Sequence, residues 1–289
     1  MLTMNAENGP DVEHIMGQQL AGKTAFITGA GRGIGVGIAE VLAERGAAVV
    51  LSDIDQRSAH LAATRINKVG RKAFATCGDV TNIGSMSAAV KAAIKFTGQI
   101  DICVANAGVI GARDYLERTT YTDADWEMTH NVNVRGMVNT ADAISPHMKS
   151  RRYGKIVNIA SHGGRKPRGP GKFGDALIPY QVSKAATIQW THLLATMLGP
   201  YNVNVNAVCP GMLWTSMWQK IAINLKKTNP ELSAMSPREI FDQIIQDRML
   251  LQREQTPKDV GRAVAFLASE DASEITGQAL NVNGGALVD

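Results

Sequence analysis

Apolar residues in this chain come in two alternating textures. Short, mostly apolar runs lie at 25–27, 47–51, 72–76, 101–105, 155–160, 203–208 and 278–282. Between them lie longer segments, at 34–45, 54–69, 78–96, 123–148, 177–198 and 257–268, whose apolar positions recur at helical spacing or which are polar throughout. Runs apolar throughout, with no strict alternation, suit strands buried on both faces, and strand–helix alternation gives a parallel sheet covered by helices on its two sides. The expected fold is therefore α/β, a single doubly wound parallel sheet of about seven strands occupying 20–289, with no linker. The last helix begins cleanly, with Thr256 as N-cap and Pro257 in the first position. One region breaks the rhythm: 212–256 is long enough for one or two helices forming a lid, and Ile240, Phe241, Ile244 and Ile245 form a helical apolar stripe within it.

The most informative stretch is 24–53. Its first strand ends in glycines at 29, 31, 33 and 35, a helix follows, and Asp53 closes the next strand 24 positions after Gly29. Side chains in such a turn would hold the backbone away from a pyrophosphate, whose charge is met by amide N–H groups at the helix N-terminus. A carboxylate at the second strand's end can accept from both ribose hydroxyls of an adenosine. The stretch reads as a dinucleotide site on a Rossmann-type sheet. Ligands of such sheets lie beyond the carboxyl ends of the strands. Asp53, Asp79, Asn106, Ser161 and the Pro210-Gly211 turn all fall there, where each taken singly is also an ordinary cap or turn residue.

Tyr180 and Lys184 stand four residues apart near the start of a helix, hence on one face, one turn apart. A phenol is a poor base at neutral pH, and a neighbouring ammonium favours its ionised form, so the pair is expected to lower the tyrosine pKa. Ser161, at the end of the fifth strand, can hydrogen-bond the same substrate oxygen.

Together these motifs resemble the short-chain dehydrogenase/reductase family over most of the chain, about 20–285. Thr28 with Gly29, Arg32, Gly33, Ile34 and Gly35 resembles the family's cofactor turn, Asp79-Val80 its adenine contact, and Asn106-Ala107-Gly108 its fourth-strand motif. Pro210, Gly211 and Thr215 resemble its nicotinamide-side loop, and Asn133, Ser161, Tyr180 and Lys184 its catalytic positions. The resemblance implies hydride transfer between a nicotinamide and a carbinol or carbonyl carbon. Tyr180 would be the acid/base, Ser161 would position the oxygen, Lys184 would hold the ribose, and Asn133 would support a water relay. It also implies a homotetramer or homodimer, and, for lids of this length, polyols, cyclic alcohols or aryl carbinols as substrates. Asp53 favours NAD over NADP because a carboxylate repels a 2′-phosphate, although Arg32 in the turn could reach one. The interval from Ser161 to Tyr180, nineteen residues, exceeds the family's common spacing. It carries Arg165, Lys166, Arg168 and Lys172, a solvated loop or an attractor of anionic substrates. After the nicotinamide-side loop, Met212, Trp214 and Trp218 are candidates for the substrate wall.

Composition narrows the alternatives. A chain of 289 residues with 45% hydrophobic and 19% charged residues has ample core material, and a formal charge of +4 with scattered basic residues does not suggest nucleic acid. Cys77, Cys103 and Cys209 lie apart without metal-ligand spacing and read as buried free thiols of a reducing compartment; no metal is expected, and a metal-dependent dehydrogenase is disfavoured. The segment 1–19, with Glu7, Asp11 and Glu13, reads as a flexible extension without the marks of a signal peptide, and no run suits a membrane span. These features point to a cytoplasmic enzyme with a small-molecule substrate. Two other readings stay open: an NADPH-dependent 3-oxoacyl thioester reductase, and a non-catalytic nicotinamide sensor or scaffold.

Overall fold

The computed structural model describes residues 18–115, 118, 120–166 and 177–288. The expected extension at 1–19 thus lies almost wholly outside the described residues, as do Arg168 and Lys172.

Seven parallel strands form one sheet: β1 Thr24–Thr28, β2 Ala48–Asp53, β3 Ala73–Cys77, β4 Ile102–Ala105, β5 Gly154–Ile159, β6 Val203–Pro210 and β7 Ala279–Val282. Their order is β3-β2-β1-β4-β5-β6-β7. The winding reverses between β1 and β4, which opens a crevice at their carboxyl ends. Strand periodicity divides the core in two. Ala25 and Ile27 of β1 face a layer built from α1 Gly33–Glu44, α2 Gln56–Lys68 and α9 Pro257–Ala268. Phe26 faces the other layer, with α3 Ile83–Thr97, α5 Gly136–Arg151 and α6 Ile178–Leu198. Phe26, Ile27, Ile38 and Ile144 are each fully buried, about 1.5–3 kcal/mol of transfer free energy per side chain. Glycine lets α1 and α9 approach closely: a Cβ on Gly37 would overlap Pro257.

Sequence expectations need three adjustments, and the expected lid is present. The long helix at 123–148 is three pieces: α4 Asp123–Thr129, a π-helical turn His130–Arg135, and α5. Asp79-Val80 does not open α3; it sits in a turn closed by Thr81, and Asn82 caps the helix through Ser85 N at 2.9 Å. Cys77 is exposed, because it ends an edge strand; Cys103 and Cys209 are buried as expected. The region after β6 supplies two helices, α7 Ser216–Thr228 and α8 Pro237–Arg248, whose apolar faces pack on each other and on Ile110 and Tyr115 of the loop after β4. Among the described residues no helix is long and apolar enough to cross a membrane.

Candidate active site

The rim of the crevice is tied together at the strand ends. Thr28 Oγ1 accepts from Asn106 N at 3.1 Å and Ala107 N at 3.2 Å, while Asn106 Nδ2 donates to the carbonyls of Thr28 and Gly29, both at 3.0 Å. These bonds lock β1 to β4 at the switch point. Gly29 has φ 63°, and a Cβ there would meet Ala107 Cα at 2.7 Å, so neither the turn nor the contact admits a side chain. Gly33 opens α1 at φ 57°, and a Cβ on it would have only a Thr215 methyl within 4 Å, at 3.9 Å. Arg32 occupies the N-cap without a side-chain hydrogen bond, so the first N–H groups of this twelve-residue helix are left to meet an anion. Asp53, buried at the end of β2, accepts from Gly31 N at 2.8 Å and Asp55 N at 3.0 Å, and each oxygen keeps a lone pair. A glycine turn, unpaired helix-end donors and a carboxylate beyond them fit a dinucleotide. Asp79 is less open to a ligand, its Oδ1 accepting from Thr81 N and Oγ1 at 2.9 and 2.7 Å.

Across the crevice, β5 and α6 supply the reactive groups. Ser161 leaves β5 in an extended conformation, and its Oγ accepts from Gly163 N at 3.1 Å, which fixes the hydroxyl. Tyr180, in the first turn of α6, hydrogen-bonds Ser161. Burial pushes the phenol pKa up, and the Ser161 bond opposes this only in part. This reverses the expected lowering. The Lys184 ammonium lies 5.7 Å from the Tyr180 ring centroid and gives one of its three N–H donors to Ile159 O at 2.8 Å. Burial brings Lys184 itself down to about 8.

Asn133 occupies the π-helical turn. Its amide exchanges two hydrogen bonds of 2.8 Å with the backbone of Val109, and Nδ2 also donates to Ser183 Oγ at 2.9 Å. The extra residue of a π turn, a device frequent at functional sites, thus clamps the loop after β4 to α6. The same loop is held further out by Asp125. Burial opposes its ionisation, yet hydrogen bonds from Arg118, Ala112 and Thr122 prevail and bring it down to about 2.

A cavity of about 520 Å³ lies between the rim, α6 and the lid. Ser161, Tyr180 and Lys184 share its wall with Ile34, Asn106, Gly108, Pro210, Gly211 and Thr215. Gly29, Arg32, Gly33, Gly35, Asp53 and Asp79 are not in that wall; they belong to the β1, β2 and β3 ends. Ala107, Val80 and Asn133 line a second cavity of about 10 Å³ behind Lys184, room for about one water. A Cβ on Gly108 would sit 3.3 Å from Asn133 Oδ1 and 3.4 Å from Lys184 Nζ, so the two side chains flank one backbone position.

The substrate side departs from expectation. Trp218 lines the cavity, but Met212 and Trp214 do not. Met212 is fully buried beneath the lid with Phe241, Ile245 and Met249. Trp214 packs on Phe241 with centroids 5.1 Å apart, under the Arg238 guanidinium at 5.3 Å. Backbone alternation explains this: after Gly211, Leu213 and Thr215 face the cavity, while Met212 and Trp214 point the other way, into the cluster around Phe241. Arg165 turns away, donating to Ala279 O of β7, and Lys166 is exposed. Three residues that sequence reasoning missed contribute. His162 Nδ1 is 2.8 Å from Pro210 O, and Gln255 pins Gly211 N at 2.9 Å, both fixing the Pro210-Gly211 turn. Arg248 lines the cavity from the end of α8. Its signal is present in the sequence, for it continues the stripe of Phe241, Ile244 and Ile245 at helical spacing.

A family model described as Enoyl-(Acyl carrier protein) reductase matches residues 29–286. The chain belongs to the short-chain dehydrogenase/reductase family. Oxidoreductase UcpA of Escherichia coli K12 is 35% identical to this family member over 268 residues, 93% of this chain and 95% of that protein. Galactitol 2-dehydrogenase of Agrobacterium fabrum is 35% identical over 269 residues, 92% and 98% of the two chains. The crystal structure of NAD+-bound xylitol dehydrogenase superimposes with a TM-score of 0.82 at 30% identity, covering 93% of this chain and 100% of its own. This short-chain dehydrogenase/reductase is an oxidoreductase of CH–OH groups that works with a nicotinamide cofactor.

Proposed function

We propose that the protein is an NAD-dependent dehydrogenase of secondary alcohols, run in reverse as a ketone reductase. The observation that carries this reading is the convergence of Ser161, Tyr180 and Lys184 on one wall of a cavity that opens onto the dinucleotide rim. Gly29, Gly33, Gly35 and the start of α1 would hold the pyrophosphate, Asp53 the adenosine ribose, and Lys184 the nicotinamide ribose. When bound, the nicotinamide accepts or returns a hydride at its C4. Ser161 orients the substrate oxygen, and Tyr180 exchanges the hydroxyl proton. Lys184 and Asn133, both on the small rear cavity, support a water that passes the proton onward. Burial, and to a lesser extent Cys209, disfavour phenol ionisation, and the Ser161 hydrogen bond opposes them.

NAD over NADP is supported by a local charge balance. Arg32 interacts electrostatically with Asp55, lowering its pKa after the Ser58 hydrogen bonds, so the turn's cation faces an acidic neighbour. Asp53 adds a second carboxylate on the same side. The thioester reductase reading draws no support from Arg165, which is engaged with β7.

A homotetramer is supported by two separate apolar surfaces. Val182, Leu193 and Met197 lie along one exposed face of α6, and Leu250, Leu251, Phe266 and Leu280 are exposed elsewhere. Two unlike faces that each pair with their own copy across a twofold would build a D2 assembly. A cytoplasmic setting accords with Cys77, Cys103 and Cys209 being free thiols.

The test is Tyr180→Phe with NAD+ and a panel of polyols, cyclic alcohols and aryl carbinols. Turnover is expected to fall by about 10²–10⁴ while the Kd for NADH stays within about threefold. Turnover within tenfold of the unsubstituted enzyme would remove the phenol from the acid/base role.

A further inference from the structure

The first lid helix turns one apolar face to the cavity. On α7, Met217, Trp218 and Ile221 recur at helical spacing and line the cavity, while Gln219 and Lys220 between them are exposed. Ile110, from the loop after β4, and Leu177, at the N-cap of α6, join these residues in one packed cluster, and Tyr180 packs against it. The wall beside the phenol is therefore apolar and continuous with the lid.

The hydrogen-bonding capacity of that wall is narrow and one-sided. The side chains of Ile110, Leu177 and Ile221 have none, Met217 has a weak thioether acceptor, and Trp218 has one indole N–H donor. Arg248, also on the lid, adds donors only. Among the described residues no aspartate or glutamate lines the cavity. The stronger side-chain acceptors in its lining, on Asn106, Ser161, His162, Gln181 and Thr215, belong to the segments after the strand ends or stand beside Tyr180, none to the apolar cluster. A substrate hydroxyl pressed against the cluster can accept a hydrogen bond there, but its own O–H proton finds no strong side-chain acceptor. Each such loss costs about tenfold in binding. A polyol carries hydroxyls on the carbons next to the one that reacts, so it meets this cost at once. A methylene buried in the same place gains about fourfold.

We propose that this site selects secondary alcohols with an apolar body, an alkyl chain or a carbon ring, over polyols, and that the α7 face bearing Met217 is its specificity-determining surface. The inference rests on the dehydrogenase reading and narrows it. The carbinol C–H bond breaks and its electron pair leaves as hydride to the oxidised nicotinamide, the O–H proton passes to Tyr180, and the C=O bond forms. The alcohol is oxidised to a ketone and the nicotinamide is reduced. The apolar body lies on the α7 face and takes no part in the bond changes.

The experiment measures kcat/KM with NAD+ for the series 2-butanol to 2-heptanol, for cyclohexanol and 1-phenylethanol, and for xylitol and galactitol. For the enzyme as it stands, kcat/KM is expected to rise about threefold or more per methylene, cyclohexanol and 1-phenylethanol to group with the longer alkanols, and both polyols to fall at least ~100-fold below 2-heptanol. Met217→Gln, close in shape but polar, is expected to bring the gain below about twofold per methylene, and Met217→Leu to preserve it. Because each gain is a ratio within one preparation, partial unfolding of a variant cancels. A flat or falling series, or a polyol turned over as well as 2-heptanol, would overturn the proposal while leaving the dehydrogenase reading intact. A gain unmoved by Met217→Gln would overturn the assignment to the α7 face. Silence with every alcohol and polyol in protein that binds NADH would remove the dehydrogenase reading, and this inference with it.

Discussion

Replacing Asp53 by asparagine isolates the charge proposed to read the cofactor. The carboxylate accepts from Gly31 N and Asp55 N and has one further acceptor position on each oxygen. Asparagine keeps the shape but only one acceptor oxygen. One charge-assisted bond to a ribose hydroxyl is therefore lost, about 1.5–3 kcal/mol, or roughly 10- to 100-fold in the Kd for NADH. For NADPH the sign reverses. Two unit charges about 5 Å apart at an effective dielectric near 20 repel by about 3 kcal/mol, and solvent at the cleft mouth lowers that to about half. For NADPH alone, relief of this repulsion, about 1.5 kcal/mol, offsets the lost bond in part or whole, so the NADH preference should fall about tenfold. The substitution also leaves Gly31 N or Asp55 N facing an amide NH2, about 1–3 kcal/mol of fold stability, visible as a lower Tm. Titration by cofactor fluorescence reads both Kd values on folded protein. A preference that changes by less than threefold would show that Asp53 serves the glycine turn and that another group reads the ribose.

Two further outcomes are expected. His147 Nε2 accepts the Ile100 N–H at 3.1 Å, which requires a neutral ring; burial, then Arg151, holds its pKa below the usual 6.5 against the pull of Asp101. The unfolded chain therefore binds that proton more readily, so stability is full above pH 6.5 and falls as pH drops toward the folded pKa, by at most about 1.4 kcal/mol per pH unit. His147→Gln should flatten this slope in urea midpoints measured from pH 7 to 5, and parallel curves for the two proteins would refute it. Leu193→Asp, on the exposed face of α6, should reduce the proposed homotetramer to a dimer or monomer by light scattering, and an unchanged mass would exclude that face.

The sheet is legible because burial on both faces leaves its strands as unbroken apolar runs. That rule fails where a strand lacks one neighbour, which is how Cys77, at the end of edge strand β3, reads as buried and is exposed. Helix existence is equally plain, but the π-helical turn at His130–Arg135 is not. One added residue barely disturbs an apolar period, and its purpose, the clamp from Asn133 to Val109, depends on a loop 24 positions upstream. The direction of the Tyr180 shift is hidden for a similar reason. Spacing gives the separation of Tyr180 and Lys184 along α6, whereas the sign depends on Ile159, which draws the ammonium away, and on the lid, which buries the phenol.

The two halves of the site differ in what holds them, and this decides what a sequence can disclose about each. The cofactor half is a lattice of short hydrogen bonds between strand ends: Thr28 to Asn106, Asp53 to Gly31, Gln255 to Gly211. Such bonds demand particular residue types at particular strand ends, so the chemistry is written locally. The substrate half is apolar packing of α7 and α8 over the cavity, where Met212 and Trp218 could exchange roles without any change of composition. Position there follows from which way the chain turns after β6.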